Sequence, residues 1–398
     1  MHTRLPKALN FSLALLLCAA VSCGWCRAQD DIAALGARAE RLEEQGQWEQ
    51  AAAVYHQILQ LDPHSIAALN RLGALAVRQN KFEEGIRYYK RALALNPYEF
   101  GTNLNLGIAY IKMQDYGHAT HPLEVATEAE PQNFQARELL GVALVGADDY
   151  SRAISQLEAA SRLSPQDAGT IYLLDRAYLE NKQYAKALAT FERLKDLDPG
   201  SPWLHILQGQ AYDGLGNYSQ AIAEFEAARQ QIPSDTTVRF SLGFMYWKVR
   251  RYREAETELE QALKLDPHFE EARFYLADTY LMSQQAAKAW PILDALAKKQ
   301  PSNVRVLIDE GKALERLNRS QEAVRAYQAA LKIDPHRSEV HYQLAQIYRK
   351  LGRQSESQQE LVLAQKLQRE KQQQEETLLK ASGAHGNPGE LMGLASSQ

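Results

Sequence analysis

A chain of 398 residues with 45% hydrophobic, 24% charged and 9% aromatic side chains is too apolar for a disordered protein, and its charges are too frequent for a polytopic membrane protein. Three cysteines cannot build a disulfide scaffold, and a net charge of −4 makes nucleic acid and anionic membrane surfaces poor partners. What remains is a folded, helix-rich chain whose Ala and Leu content favours α-helix over strand.

Residues 1–28 read as a secretory signal. Arg4 and Lys7 precede an apolar run from Phe11 to Val21, and small residues lead to Cys26-Arg27-Ala28. The run rises only ~16 Å as a helix, against the ~30 Å of a hydrocarbon core, so cleavage after Ala28 is predicted rather than a spanning anchor. Ala20-Val21-Ser22-Cys23 offers an alternative, a lipoprotein signal that would tie the chain to a membrane through Cys23. All three cysteines, Cys18, Cys23 and Cys26, lie in this leader. The exported body, periplasmic or extracellular, is then free of thiols and carries 42 basic against 49 acidic side chains, a net charge of −7.

From residue 29 to 371 a single period governs the chain. Pro63, Pro97, Pro131, Pro165, Pro199, Pro233, Pro267, Pro301 and Pro335 stand 34 residues apart without an insertion or deletion. With each proline counted as slot 32, ten repeats begin at Ile32, Ile66, Phe100, Phe134, Ala168, Pro202, Thr236, Glu270, Val304 and Ser338, and Arg369 takes the proline place in the tenth. Slot 8 is small in nine repeats, Asp175 being the exception; slot 20 is Ala, Gly or Ser throughout. Slot 17 is aromatic in the first seven, from Trp48 to Tyr252, and these rings are expected to fill the seam between successive units.

Small residues at 8 and 20, usually a small residue at 27 and proline at 32 over 34 residues resemble the tetratricopeptide repeat (TPR) family. The resemblance implies an all-α, right-handed α-solenoid of about ten helix-turn-helix repeats. It also implies that slots 2, 5, 9, 12 and 13 of each first helix line a groove. The same stacking follows from physics. Proline ends each second helix, and a 34-residue hairpin cannot cover its own apolar surface without a neighbour.

Along the array the groove slots are polar at both ends, with Glu40, Glu43, Glu44, Asn70 and Arg78 at one and Arg305, Lys312, Glu315, Gln346 and Arg349 at the other. Between them they turn apolar through Leu104, Ile108, Ile111, Val142 and Val145. In repeats five to eight they hold Tyr172, Leu179, Trp203, Ile206, Phe240, Phe244, Trp247, Phe274, Leu281 and Met282. Large aromatics in an exposed stripe mark a partner-binding centre. Tyr172, Trp203, Ile206, Phe240, Phe244, Trp247, Phe274 and Leu281 are therefore the candidate contacts for an apolar extended peptide or an amphipathic helix, although slots 9 and 12 could instead be core.

No chemistry competes with this reading. His64, His268 and His336 follow the repeat proline and read as turn residues, while His118 and His121 near Asp115 and Glu124 read as a solvated face rather than a metal site. No phosphate loop, zinc motif or serine elbow is present, so neither a catalytic residue nor a cofactor nor a small-molecule substrate is expected. The expected role is a non-catalytic scaffold in envelope assembly, secretion or pilus biogenesis. Alternatives are a non-catalytic subunit of a glycosyltransferase or other enzyme complex, since only 27 residues follow the tenth repeat, and a self-associating structural protein. Residues 372–398 should form a helical extension to about Lys380 and then a disordered tail. Kinks are expected at Pro122 and Pro291, and Asp175 should find a salt bridge or loosen its hairpin.

Overall fold

The computed structural model describes residues 29–197 and 200–381. The leader with its cleavage site and Cys23, the repeat proline Pro199 and the tail from residue 382 lie outside the described residues, as do the expectations attached to them. Among the described residues every regular element is a helix. The chain divides into two compact units, Met1–Leu215 and Gly216–Gln398.

In the first unit, first and second helices alternate: α1 (29–44), α2 (Trp48–Leu61), α3 (Ile66–Arg78), α4 (Phe82–Leu95), α5 (Phe100–Lys112), α6 (Tyr116–Ala129), α7 (Phe134–Gly146), α8 (Tyr150–Leu163), α9 (Ala168–Glu180), α10 (Tyr184–Leu197) and α11 (Pro202–Gly214). The second unit continues with α12 (Tyr218–Gln231), α13 (Thr236–Lys248), α14 (Tyr252–Leu265), α15 (Glu270–Met282), α16 (Ala286–Lys299), α17 (Val304–Arg316), α18 (Ser320–Ile333), α19 (Ser338–Lys350) and α20 (Gln354–Ala381). Each first helix from α3 on begins at slot 1, and each second helix begins at slot 17. Both units are α-solenoids of stacked hairpins.

The turns explain the boundaries. At slot 34, Ser65, Asn133, Asp167, Asp235 and Asn303 accept a hydrogen bond from the backbone N–H three residues on, capping the helix that follows. At slot 31, Asp62, Asp266 and Asp334 accept from the backbone N–H of His64, His268 and His336. Those histidines are therefore turn residues held through their main chain. Slot 15 adopts positive φ in every hairpin, from Gly46 at 72° and Asn80 at 59° to Arg250 at 62° and Gly352 at 75°. Gly, Asn or Asp fills that slot in six repeats, while Gln114, Lys182, Arg250 and Gln284 adopt the left-handed region without their help.

Close packing accounts for the small slots. A Cβ at Gly73 would fall 2.5 Å from the Tyr89 ring and one at Gly243 would fall 2.8 Å from Leu259, so the two helices of a hairpin touch there only because slot 8 is small. Slot 17 rings do fill seams. Arg78 of the next first helix lies 3.8 Å over Trp48, Lys248 lies 5.4 Å over Tyr218, and Gly146 and Gly214 leave room for Tyr116 and Tyr184.

Two further clasps bind one hairpin to the next. The slot 11 hydroxyls of Tyr178 and Tyr280 donate to Glu158 and Glu260 of the preceding hairpin at 2.6 and 2.7 Å, and Tyr246 does so to Glu226. Slot 4 side chains donate to the carbonyl of the preceding repeat proline: Asn103 to Pro97 at 2.9 Å, Arg137 to Pro131 at 2.7 Å, Arg239 to Pro233 at 2.9 Å, and likewise Arg273 to Pro267. At these four junctions the carbonyl of the repeat proline is thus satisfied by the first helix that follows it.

The helices containing Pro122 and Pro291 run unbroken over 14 residues, the length of their neighbours, so neither proline ends its helix. Asp175 is 1% exposed and neither carboxylate oxygen makes a hydrogen bond, so of the two accommodations expected for it, a salt bridge or a looser hairpin, the salt bridge is not formed. Burial pushes its carboxyl up to about 7.

Candidate functional site

In the second unit α13 is apolar on two faces. Val238, Leu242, Met245 and Tyr246 are buried in the core. On the other side Phe240, Phe244 and Trp247, spaced i, i+4 and i+7, bring their rings into one ladder. Phe240 and Phe244 stack at 6.0 Å with planes 10° apart, and Phe244 and Trp247 at 5.8 Å and 10°. All three rings remain partly exposed.

Helix α15 closes one side of the ladder. Tyr275 meets all three rings, at 6.1 Å from Phe240 and edge-on at 4.7 Å from Phe244 and 5.0 Å from Trp247. Phe274 abuts Tyr275 at 5.4 Å, and Phe269, just before α15, lies 4.7 Å from Phe240. From α17 the Arg305 guanidinium lies 4.6 Å over Phe274, 5.7 Å over Tyr275 and 5.8 Å over Trp247. Lys248 sits 4.7 Å over Phe244. The ladder is thus an aromatic face rimmed by cations.

A buried acid locks its lower end. Asp278, 4% exposed, accepts from the Trp247 indole N–H at 2.9 Å and lies 3.8 Å from Arg305. Burial, and then the neighbouring Asp309 carboxylate, push the Asp278 carboxyl up. Asp309 is itself held by Lys312 at 2.8 Å. Trp247 is therefore fixed by a charge-assisted hydrogen bond rather than by packing alone. A cavity of about 330 Å³ opens beside the ladder, its wall including Phe274, Tyr275, Gln300, Asn303 and Arg305.

Of the predicted contacts, Phe240, Phe244, Trp247 and Phe274 come together here. Trp203, in the first unit, is 52% exposed, and Tyr172 is partly buried against that unit's core. Ile206 and Leu281 are corrected: at 6% and 1% exposure they are core residues, because slots 5 and 12 at those positions turn toward neighbouring helices. Leu104, Val145 and Leu179 are buried in the same way. Sequence reasoning missed Tyr275 and Phe269, which occupy slots 6 and 34, outside the groove slots, although the Phe274-Tyr275 dipeptide was a visible sign. It placed Arg305 at a polar end, whereas the guanidinium covers the rings. His118 is engaged by Asp115 at 2.8 Å and stacks on Tyr110 at 5.5 Å. Among the described residues no three His, Cys, Asp or Glu side chains are grouped to hold a metal ion.

Comparison with known proteins bears on the whole array. Models described as "Tetratricopeptide repeat" match residues 37–100, 104–168, 144–211, 180–239, 246–308 and 338–371, and one described as "TPR repeat" matches 311–352. No curated protein matches the chain. Solved structures similar to it include the C-terminal part of a TPR repeat-containing protein from Cytophaga hutchinsonii, at 18% identity and a TM-score of 0.49, covering 61% of this chain and 99% of that one. MamA 41-end from Desulfovibrio magneticus RS-1 aligns at 19% identity and a TM-score of 0.40 over 43% of this chain and 96% of its own. MamA AMB-1 aligns at 25% identity and a TM-score of 0.39 over 43% and 93%. Arrays of this kind are generally protein-interaction scaffolds without chemistry of their own. With its repeats matched from residue 37 to residue 371, this chain belongs to the tetratricopeptide repeat family.

Proposed function

We propose that the second unit holds an apolar extended peptide or an amphipathic helix of a partner protein against the Phe240–Phe244–Trp247 ladder, with the half-exposed Arg305 favouring a partner that carries acidic side chains beside its apolar ones. The observation that carries this reading is the partly exposed stack of three parallel rings, pinned by Tyr275 and by the Trp247–Asp278 hydrogen bond. Rigid, pre-positioned aromatics lose little entropy on binding and are the usual anchors of an interface. Trp203, exposed on the first unit, is proposed as a separate partner contact of that unit.

The chain is proposed to be exported and cleaved after Ala28, and to serve as an adaptor in envelope assembly, secretion or pilus biogenesis. The basis is the leader pattern and the thiol-free body. Mass spectrometry of the mature N-terminus separates this from lipidation at Cys23, which would add acyl mass there. For the binding face, in-cell crosslinking and affinity capture should compare wild type with Phe244→Glu/Trp247→Glu, with circular dichroism confirming the fold. Specific partners should be lost from the variant. Identical captured sets would refute the ladder as the binding face.

A further inference from the structure

Helix α15 carries a carboxylate into the base of the aromatic ladder, and α17 surrounds it with charge. Asp278, 4% exposed, accepts from the Trp247 indole N–H through Oδ2 at 2.9 Å. The same oxygen lies 3.8 Å from the guanidinium of Arg305, whose side chain is 53% exposed. One turn further along α17, the buried Asp309 is paired with Lys312 at 2.8 Å. Two more cations stand on these helices. Lys248 of α13 lies over the Phe244 ring at 4.7 Å, and Arg316 of α17 donates to the Leu281 carbonyl of α15. Beside the indole, then, two buried acids meet two cations, Arg305 and Lys312, and the four are electrically balanced only while both acids are ionised. Burial, and then the Asp309 carboxylate, push the Asp278 carboxyl up against the opposing pull of Trp247, Arg305 and Lys312. Its proton therefore arrives at a higher pH than the ~4 of an ordinary Asp. A proton on Oδ1 leaves Oδ2 to accept from the indole, so the ladder keeps its shape. What changes is charge: Arg305 loses its counter-ion, and the four groups together gain one positive charge at the half-exposed rim.

We propose that binding at the ladder is proton-coupled: a partner's carboxylate that docks on Arg305 replaces Asp278 as its counter-ion, and Asp278 takes up one proton from solvent. This rests on the reading of the ladder as a partner-binding face and adds to it how that face is regulated. Linkage is reciprocal, so what the anion does to the proton, the proton does to the anion. An acidic partner binds more tightly as pH falls through the range where Asp278 titrates, by at most tenfold per pH unit for a single proton. A partner without an acid does not respond.

Peptides displayed and selected on the full chain at pH 7.5, and no longer bound by Phe244→Glu/Trp247→Glu, supply the probe. Each is made in two forms, with its acid replaced by cysteic acid, a sulfonate ionised at every pH used, or by Gln. Fluorescence anisotropy gives affinities from pH 4 to pH 8 for wild type and for Asp278→Asn, which keeps an acceptor for the indole but does not ionise. Circular dichroism checks the fold at each pH. Wild type should bind the sulfonate peptide about fivefold or more tightly at pH 4 than at pH 8, and the Gln peptide equally at both. Asp278→Asn should hold the sulfonate peptide at pH 8 as tightly as wild type does at pH 4. Should that variant disturb the fold, Arg305→Gln gives the second test, since it should lose both the preference for sulfonate over Gln and the pH slope. A slope as steep in either variant as in wild type, no slope in wild type, or selected ladder peptides that carry no acid would overturn the coupling and leave the ladder as a binding face. A selection that yields no peptide lost by the ladder variant would refute the ladder reading itself, and the coupling with it.

Discussion

Each unit buries acids, and the two treat them differently. In the first, Asp175 sits where a small residue closes other hairpins, and nothing bonds to it. In the second, Asp278 accepts from Trp247, and Glu258, 4% exposed, is gripped by Arg229 at 2.5 Å and Arg239 at 2.6 Å. Burial is common to all three, so burial does not mark a site. What distinguishes the second unit is that its buried acids orient something: Glu258 steadies the Arg239 clasp on Pro233, and Asp278 steadies the exposed indole.

The sharpest way to break this comparison is Asp175→Ala. A carboxyl raised to about 7 when folded keeps its proton while the unfolded chain loses its own near 4. Stability therefore falls as pH rises from about 4 to about 7 and then levels off, and the penalty above pH 7 is on the order of 3–4 kcal/mol. Urea unfolding of wild type across that range should show the slope, and Asp175→Ala should flatten it and be the more stable protein at pH 8. A wild-type curve without the slope would show that the carboxyl finds a partner in solution. In the opposite direction, Arg239→Ala leaves Glu258 half-paired and the Pro233 carbonyl unmet, and should cost about 3 kcal/mol.

A smaller effect sharpens the role of Asp278. Trp247→Phe keeps a ring in the ladder but removes the donor, and should cost about 1–2 kcal/mol. In an Asp278→Asn background the same change should cost less, the difference being the coupling between the two side chains in a double-mutant cycle. The smallest effect concerns both units alike. Lys182→Gly and Arg250→Gly relieve left-handed backbone at slot 15 and should each stabilise by about 0.5–1 kcal/mol in chemical denaturation. A loss of stability would mean that those side chains contribute contacts outweighing the strain.

Much of this was readable beforehand. The proline period matched the described repeat junctions, because proline and hairpin packing act locally on each copy, while the start of the second helices at slot 17 emerged only from the structure. The left-handed slot 15 was less legible, since Gln114, Lys182, Arg250 and Gln284 obscure what Gly46, Gly216 and Gly352 would have declared. The slot 4 clasp escaped because Asn103, Arg137, Arg239 and Arg273 share a target, the proline carbonyl, rather than a residue type. At the ladder, heptad-like spacing exposed Phe240, Phe244 and Trp247, whereas Tyr275 and Arg305 reach it from other helices at slots that no spacing rule singles out.

The residues alone determined that this protein is a row of helical hairpins, because a 34-residue period with proline stops and small contact slots admits little else. Only the tertiary structure decided which apolar groove slots are core and which are surface. Ile206 shares slot 5 with Phe240 and Leu281 shares slot 12 with Trp247, yet neighbouring helices cover the aliphatic pair and leave the rings partly open. Burial depends on the side chains across the seam, and those lie in other repeats, some 20 to 35 residues away along the chain.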